Sequence, residues 1–600
     1  MSLRSESRRH VRPGEDGRDH LGTLQGLAAL SLDALSSVAY GPEAMVLVLV
    51  AAGVGAVRFA LPLTIAITVL LAVLVISYRQ VIAVHPDGGG AYAVAKAALG
   101  RRLSLLAAAS LVVDYVLTVS VSLAAGAASL ISTFPSLGNH PLIYSLAGLA
   151  LLAAVNLRGI VESARALMLP TALFIAGIGA VIVAGLLRHH PERLLGAGLA
   201  HHTSEAVGVI LLLKAFAAGC SALTGVEAIA NAVPTFREPR VRRAQRTELL
   251  LGLLLAAMLL GLAILIHRFH IVPRGGVTVL AELTAAALGT GLGFHVVGIT
   301  VTVVLLLAAN TSYGGLPVLM SRLSHDNRLP HLFSLRAQHQ VYRYGVAALT
   351  LAAGALLVVV RGDTQRLIPL FAIGVFIGFT ISQAGLVRHW ARERSRNWRG
   401  RAAVNGFGAV LTAAATVVFL VAKFTEGAWI VVLVIPLLIL LFNRIESYYD
   451  YVAKELELGQ VPPRPVEGPS IVIVPVNGVS KLAFEALCAA RSLGDEVVAL
   501  SVQYDVDDAD ALRSQWRDWN PGVRLEVLMS TRRELLEPIV EYVKRTIRES
   551  DRHVAVLIPE IEPRRRRHQI LQNQRGILLA ATLRSRTNAV VCILPFRLHD

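Results

Sequence analysis

Apolar runs of about 20 residues begin near Leu24, Leu61, Leu103, Pro141, Ala166, Val207, Leu249, Gly293, Val346, Leu367, Val404 and Ala428. Each is long enough to cross a hydrocarbon core as a helix, the form in which a backbone in lipid satisfies its own hydrogen bonds. About twelve spans are expected. Only 16% of the 600 residues are charged and 54% are hydrophobic, too apolar a balance for a soluble chain of this size.

The net charge of +16 is spread in a way that argues against nucleic acid as a partner. Arginines gather before the first run (Arg4, Arg8, Arg9, Arg12, Arg18), after the sixth (Arg237, Arg240, Arg242, Arg243, Arg246), after the eighth (Arg322, Arg328, Arg336, Arg343) and after the tenth (Arg388 to Arg401). By the positive-inside bias both termini face the cytoplasm of a cell membrane crossed many times. The basic leader runs into a span too long for a cleavable signal. Cys220, Cys488 and Cys592 stand far apart, so neither a disulfide framework nor a transition-metal site is expected.

Composition divides the chain into an N-terminal tail (1–20), a membrane domain (21–445), a connecting helix and linker (446–469) and a cytoplasmic domain (470–600). In the last, β-rich runs starting at Ser470, Glu496, Val523, Val554 and Ala589 alternate with helical stretches. That rhythm predicts a parallel α/β sheet with helical crossovers.

Within the apolar runs one heptapeptide pattern occurs twice, SVAYGPE at Ser37–Glu43 and SALTGVE at Ser221–Glu227. Both have a hydroxyl, a glycine and a carboxylate in spans one and six. A helix break at membrane depth is tolerated where it is buried in protein or lines a wet cavity, and matched breaks in two halves mark an inverted-repeat transporter with its site between them. Gly41-Pro42 and Gly225 are the expected breaks; the plain alternative is two kinks in packed helices.

The carboxylates near these breaks are Asp33, Glu43 and Glu227, and the third span adds Asp114 in DYVLTVSVS. Asp114, Thr118 and Ser122 follow a spacing of four and share one helix face, with Tyr115 beside it. Intramembrane carboxylates are functional candidates. Lys214, in the sixth span, is a potential neutralising partner. An acidic, oxygen-rich, cysteine-free lining suits a hard monovalent cation, whereas an amino acid's carboxylate would prefer exposed backbone amides. Glu227, and with it Glu43, is the candidate for proton exchange.

HPDGGGAYAVAKAALG (His85–Gly100) and SRLSHDNRLPHLF (Ser321–Phe333) resemble loops of the amino acid, polyamine and organocation superfamily. SLDALSSVAYGPE, DYVLTVSVS and CSALTGVEAIANAVPTFREP are similar to the KimA-type potassium transporters within it, as are IVIVPVNGVSK and HQILQNQRGILL in the tail. The resemblance implies a mostly α membrane protein with a LeuT-like 5+5 inverted repeat, two further helices and a universal-stress-protein-like tail. It implies no enzyme and no required cofactor, but potassium import with protons by a homodimer joined through its tails, and inhibition by cyclic di-AMP. On matching positions the ion ligands are Asp33, Tyr40, Asp114, Tyr115, Thr118, Ser122, Thr224 and Glu227. Phe371 departs from this pattern, standing where the family is expected to carry a tyrosine hydroxyl.

Arg564, Arg565, Arg566 and Arg567 replace the glycine-rich loop of a nucleotide domain. They are read as a solvated or lipid-headgroup face, with phosphate contacts for a regulator as the alternative. Gly88, Gly89 and Gly90 read as a helix-connecting turn, because no Gly-Lys-Ser/Thr follows them. His295, His189 and His190 read as interfacial; Thr311, Ser312 and Tyr313 border the path or pack helices. Two other functions fit the same composition: an amino acid or polyamine permease, and a non-transporting membrane sensor of nucleotides or ions.

Overall fold

The computed structural model describes residues 20–88, 90–159, 164–195, 208–335, 342–462, 464, 468–530, 534–562 and 574–597. The chain divides into two compact units, Met1–Leu458 and Gly459–Asp600.

Eleven helices of the described residues are long and apolar enough to cross a membrane, and Pro141–Leu157, with 17 residues, supplies a shorter twelfth. Span 1 comprises the half-helices Thr23–Leu30 and Gly41–Val50; spans 2 to 5 are Ala60–Val84, Arg101–Thr133, Pro141–Leu157 and Ala164–Leu187. Spans 6 to 10 are Val209–Asn231, Arg240–Phe269, Leu292–His325, Arg343–Val360 and Thr364–Glu393, and Trp398–Lys423 and Trp429–Glu455 complete the set. A short helix, Val279–Leu288, lies between spans 7 and 8.

Spans 1–5 and 6–10 are two repeats of opposite direction, since five crossings separate their starts. Counterparts pack on one another: span 2 on 7, 3 on 8, 4 on 9, and Gly41–Val50 on Val209–Gly219. Span 5 also packs on 8 as span 10 packs on 3. This reciprocity is what a two-fold axis in the membrane plane produces.

In lipid, helices associate through close packing rather than through expulsion of water, so small residues govern where backbones meet. Ala107, Ala108, Ala109 and Ser110 of span 3 are fully buried, while Leu187, Leu351, Val359 and Val421 of spans 5, 9 and 11 point outward, where lipid is their solvent. Span 10 sets Gly374, Gly378 and Gly385 along one face. A methyl at Gly374 would lie 3.4 Å from the Ser110 carbonyl, an ordinary contact, whereas one at Gly385 would collide with Val94.

The two expected breaks differ in form. Span 1 is interrupted at Ser31 and again over Ser37–Tyr40, and Gly41-Pro42 opens the second half-helix instead of forming the gap; Pro42 sits in the first turn, where its missing N–H costs least. Span 6 unwinds fully at Thr224, which is extended (ψ 155°), and Gly225, whose φ of 77° favours glycine.

The second unit is a five-stranded parallel sheet in the order β3-β2-β1-β4-β5, with β1 Ser470–Pro475, β2 Glu496–Gln503, β3 Arg524–Met529, β4 His553–Glu562 and β5 Val590–Arg597. All five β-rich runs of the sequence are strands. Ile471, Val472, Ile473 and Val474 of β1 are all buried because helices cover both faces. Ile471 and Ile473 meet Val540 and Val543; Val472 and Val474 meet Ala486, Leu487 and Trp516.

Candidate functional site

The interruptions of spans 1 and 6 lie side by side. Ser37 Oγ donates to the Ala222 carbonyl at 2.7 Å, and Tyr40 Oη lies 3.3 Å from Thr224 Oγ1. Glycine permits this approach. A Cβ at Gly41 would stand 2.5 Å from that of Ala222, and one at Gly225 would lie 2.6 Å from the Ala34 nitrogen and 2.8 Å from Asp33 Oδ2. The Asp33 carboxylate thus rests on the bare backbone of the second break.

Asp33, Asp114 and Glu227 come together across spans 1, 3 and 6, close enough to repel one another when charged. Tyr40 and Tyr115 feel the same carboxylates. Tyr115 Oη would be 2.7 Å from a methyl at Gly315, which fixes its ring against span 8. Thr118 and Ser122 are buried one and two turns beyond Asp114. Lys214, partly buried, forms no ion pair with these carboxylates.

Asp33 Oδ1, Asp114 Oδ1 and Ser122 Oγ are buried oxygens without a hydrogen-bond partner. Buried polar atoms are ordinarily paired, and orphaned ones call for an account. Oxygen ligands for a partly dehydrated cation supply one, since a cation pairs with lone pairs that no N–H or O–H occupies. Ser31, Ser110 and Ser312 add further orphaned hydroxyls on spans 1, 3 and 8.

Glu227 is held by a residue that the sequence reading overlooked: Tyr78 of span 2 donates to Glu227 Oε2 at 3.2 Å. Flanked by Ser77, Arg79 and Gln80 near the end of span 2, Tyr78 reads in the sequence as an ordinary helix-end aromatic. Span 10 closes the same corner, where a methyl at Gly378 would lie 3.8 Å from Glu227 Oε2. Phe371, fully buried, stands one turn before Gly374, whose Cβ position is 3.7 Å from the Asp114 nitrogen.

Glu43 goes elsewhere. Its Oε2 accepts from the Val279 N–H and its Oε1 from Gln365 Nε2, both at 3.0 Å, so it ties Gly41–Val50 to the helix after span 7 and to span 10. Spans 1 and 6 run in opposite directions, so the glutamate two residues past each glycine is carried toward opposite membrane faces.

The glycine loop after span 2 abuts span 6. Methyls at Gly88 or Gly90 would collide with the Asn231 carbonyl or its side chain, and both glycines have positive φ. The turn reading therefore has a steric reason, although Gly89 lies outside the described residues. The helix that follows, Gly90–Ala98, is clamped to the end of span 8: Tyr92 Oη donates to Asp326 at 2.5 Å and Lys96 Nζ at 2.7 Å. Partial burial works against the Asp326 carboxylate, yet the Lys96 ammonium and Tyr92 hydroxyl outweigh it and hold its pKa below the usual aspartate range.

Among the described residues no cluster of His, Cys, Asp and Glu has metal-holding geometry. His295 stacks on Phe134 with ring centroids 5.3 Å apart. Arg564, Arg565, Arg566 and Arg567 lie outside the described residues.

Residues 27–442 match the amino acid permease family, and residues 468–596 match the KimA potassium transporter C-terminal domain. The potassium transporter KimA of Bacillus subtilis (strain 168) is 36% identical over 588 residues, 97% of this chain and 96% of that one. The chain belongs to the KimA-type branch of the amino acid permease family. Its membrane unit is accordingly that family's inverted-repeat transporter fold, and the protein is a transporter rather than an enzyme. Two solved structures of a manganese transporter from Eremococcus coleocola, one in complex with an aromatic bis-isothiourea substituted compound and one a mutant, also match. They are 14% and 13% identical with TM-scores of 0.42 and 0.41, covering 75% and 74% of this chain and 98% and 97% of theirs.

Proposed function

We propose that this protein imports potassium together with protons across the cytoplasmic membrane, with both termini in the cytoplasm. The observation that carries the reading is the group of three carboxylates without a basic ion-pair partner among the described residues, two of whose oxygens are buried and unbonded. Asp33 and Asp114 hold the cation with the oxygens of Tyr40, Tyr115, Thr118, Ser122 and Thr224. Glu227 takes and releases the proton, and Tyr78 orients it. Glu43 couples the same cycle to the opposite face by binding and releasing the Val279 helix.

An amino acid would bring a carboxylate into this group and be repelled by it. A cation gains about 2.3 kcal/mol per 100 mV on moving inward, and a proton moving with it about doubles that drive. The relative's printed name, with 36% identity along nearly the whole chain, supports potassium as the cargo.

The test is rubidium uptake into proteoliposomes with an imposed inward proton gradient. Uptake that is lost in Asp33→Asn supports the reading; uptake of labelled amino acid without rubidium rejects it. A vesicle that moves neither points to the sensor function.

The same proposal includes a homodimer joined by the cytoplasmic domains and inhibition by cyclic di-AMP. The edge strand β5 exposes Val590 and Ile593, and an uncovered apolar edge of this kind is suited to a second copy. Light scattering in detergent reports the mass, and calorimetry with cyclic di-AMP on the whole chain, beside a variant with Arg564–Arg567 changed to glutamine, reports the regulator.

A further inference from the structure

Span 7 carries a carboxylate that the chamber does not use. Glu248 is 0% exposed, and neither of its oxygens has a hydrogen-bond partner. It lies where span 7 packs antiparallel on span 2. A methyl at Gly252 would touch Val75 at 2.6 Å, and Gln245 Nε2 donates to the Arg79 carbonyl at 2.8 Å. Those two contacts bracket Glu248 and place it level with Tyr78 and Arg79.

Among the described residues Arg79 is the one charged group acting on Glu248, without reaching ion-pair distance, and Arg79 Nε is itself unpartnered. Tyr78 faces both acids: it donates to Glu227 Oε2 and interacts electrostatically with Glu248. The other elements packed on span 7 carry Asp33, Glu43, Arg58, Arg165 and Glu282, and none of these acts on Glu248. The half-helix Thr23–Leu30 meets this stretch through the Thr23 carbonyl, which accepts from Thr247 Oγ1 at 3.1 Å, and has no titratable side chain.

A buried ionisable group in a membrane protein is costly, and a pair on two different helices that lacks even a closed ion pair does little for packing. Arg79 is half-buried near the end of span 2, on the side we assign to the cytoplasm.

We propose that Glu248 is the proton acceptor on the cytoplasmic side of Glu227, so that proton and cation leave by different routes. One O–H bond breaks at the Glu227 carboxyl and one forms at Glu248, and the negative charge moves the opposite way. Arg79 attracts the carboxylate that remains once the proton has gone on to the cytoplasm. Tyr78 is the positioning residue between the two acids. Separate exits keep two like-charged cargoes from competing for Asp33 and Asp114.

This inference rests on the proton-coupled reading, and the experiment distinguishes the two. Intact protein in proteoliposomes is assayed for proton-driven rubidium uptake, for internal acidification, and for rubidium–rubidium exchange at equal pH. Glu248→Gln is expected to lower driven uptake at least about tenfold while exchange, which needs no net proton movement, stays within about twofold of the parent. Glu248→Asp is expected to restore part of the driven uptake. Unchanged driven uptake in Glu248→Gln, or exchange falling in step with it, overturns the proposal. Parent vesicles that take up rubidium without any acidification overturn the proton-coupled reading itself, whatever the variants do.

Discussion

Phe371 offers a direct test of how much one oxygen matters in the chamber. It is fully buried on span 10, one turn from the glycine that abuts Asp114. Phe371→Tyr adds a hydroxyl without adding much volume, and a hydrogen bond or ligand of that kind contributes about 0.5–1.5 kcal/mol. The apparent KM for rubidium is therefore expected to fall about two- to tenfold, and an unchanged KM in uptake assays would show that position 371 does not face the ion. Asp33, Asp114 and Glu227 stood out in the sequence as candidates because a carboxylate inside an apolar run has few innocent explanations, whereas Tyr40 and Thr224 entered through the family resemblance. Tyr78 and Ser110 were not, because an aromatic or a serine in such a run is ordinary until its partner is known. Glu248 was hidden differently, close behind the arginines of Arg240–Arg246, where it reads as one more charge at a helix end.

At the scale of elements, the repeated heptapeptide predicted that spans 1 and 6 would be interrupted together, and they are. What it did not carry was direction. Sequence similarity matched Glu43 with Glu227, yet opposite chain polarity sends one to the Val279 helix and the other to Tyr78. The break at Gly225 also sets a strict steric demand. Gly225→Ala would place a methyl 2.6 Å from the Ala34 nitrogen at a φ of 77°, so it should displace Asp33 and abolish rubidium binding, even where the detergent-solubilised protein remains folded. Scintillation proximity binding checks this. The clamp of Gly90–Ala98 onto Asp326 has its own pH signature. Because the Asp326 pKa is lowered in the folded state, its contribution is present above the ordinary aspartate value of about 3.9 and is lost as pH falls through the folded pKa. Lys96 is largely exposed, which limits the clamp to about 0.2–1 kcal/mol. Thermal unfolding should show Asp326→Asn slightly less stable than the parent at pH 7, with the gap closing below about pH 4.

For the whole molecule, the division into Met1–Leu458 and Gly459–Asp600 separates what lipid dictates from what water dictates. Alternating β-rich and helical stretches made the second unit's layers readable, since a parallel sheet covered on both faces writes itself as continuous apolar strands; the strand order was not written, because it depends on which crossovers return past β1. Truncation after Leu458 is expected to leave a membrane unit that still binds rubidium but no longer responds to cyclic di-AMP, which binding assays with and without the nucleotide would show. Rubidium binding lost on truncation would mean that the first unit depends on the second. Within the first unit, the face of span 10 formed by Gly374, Gly378 and Gly385 has a mechanical meaning. Side chains that interlock resist sliding, so a helix face stripped of them is expected to act as a bearing if span 10 shifts past span 3 and Glu227 during turnover. The methyl of Gly378→Ala fits there at rest, 3.8 Å from the nearest atom. Slowed turnover with unaltered rubidium affinity in that variant would thus register friction in the moving parts, not damage to the chamber.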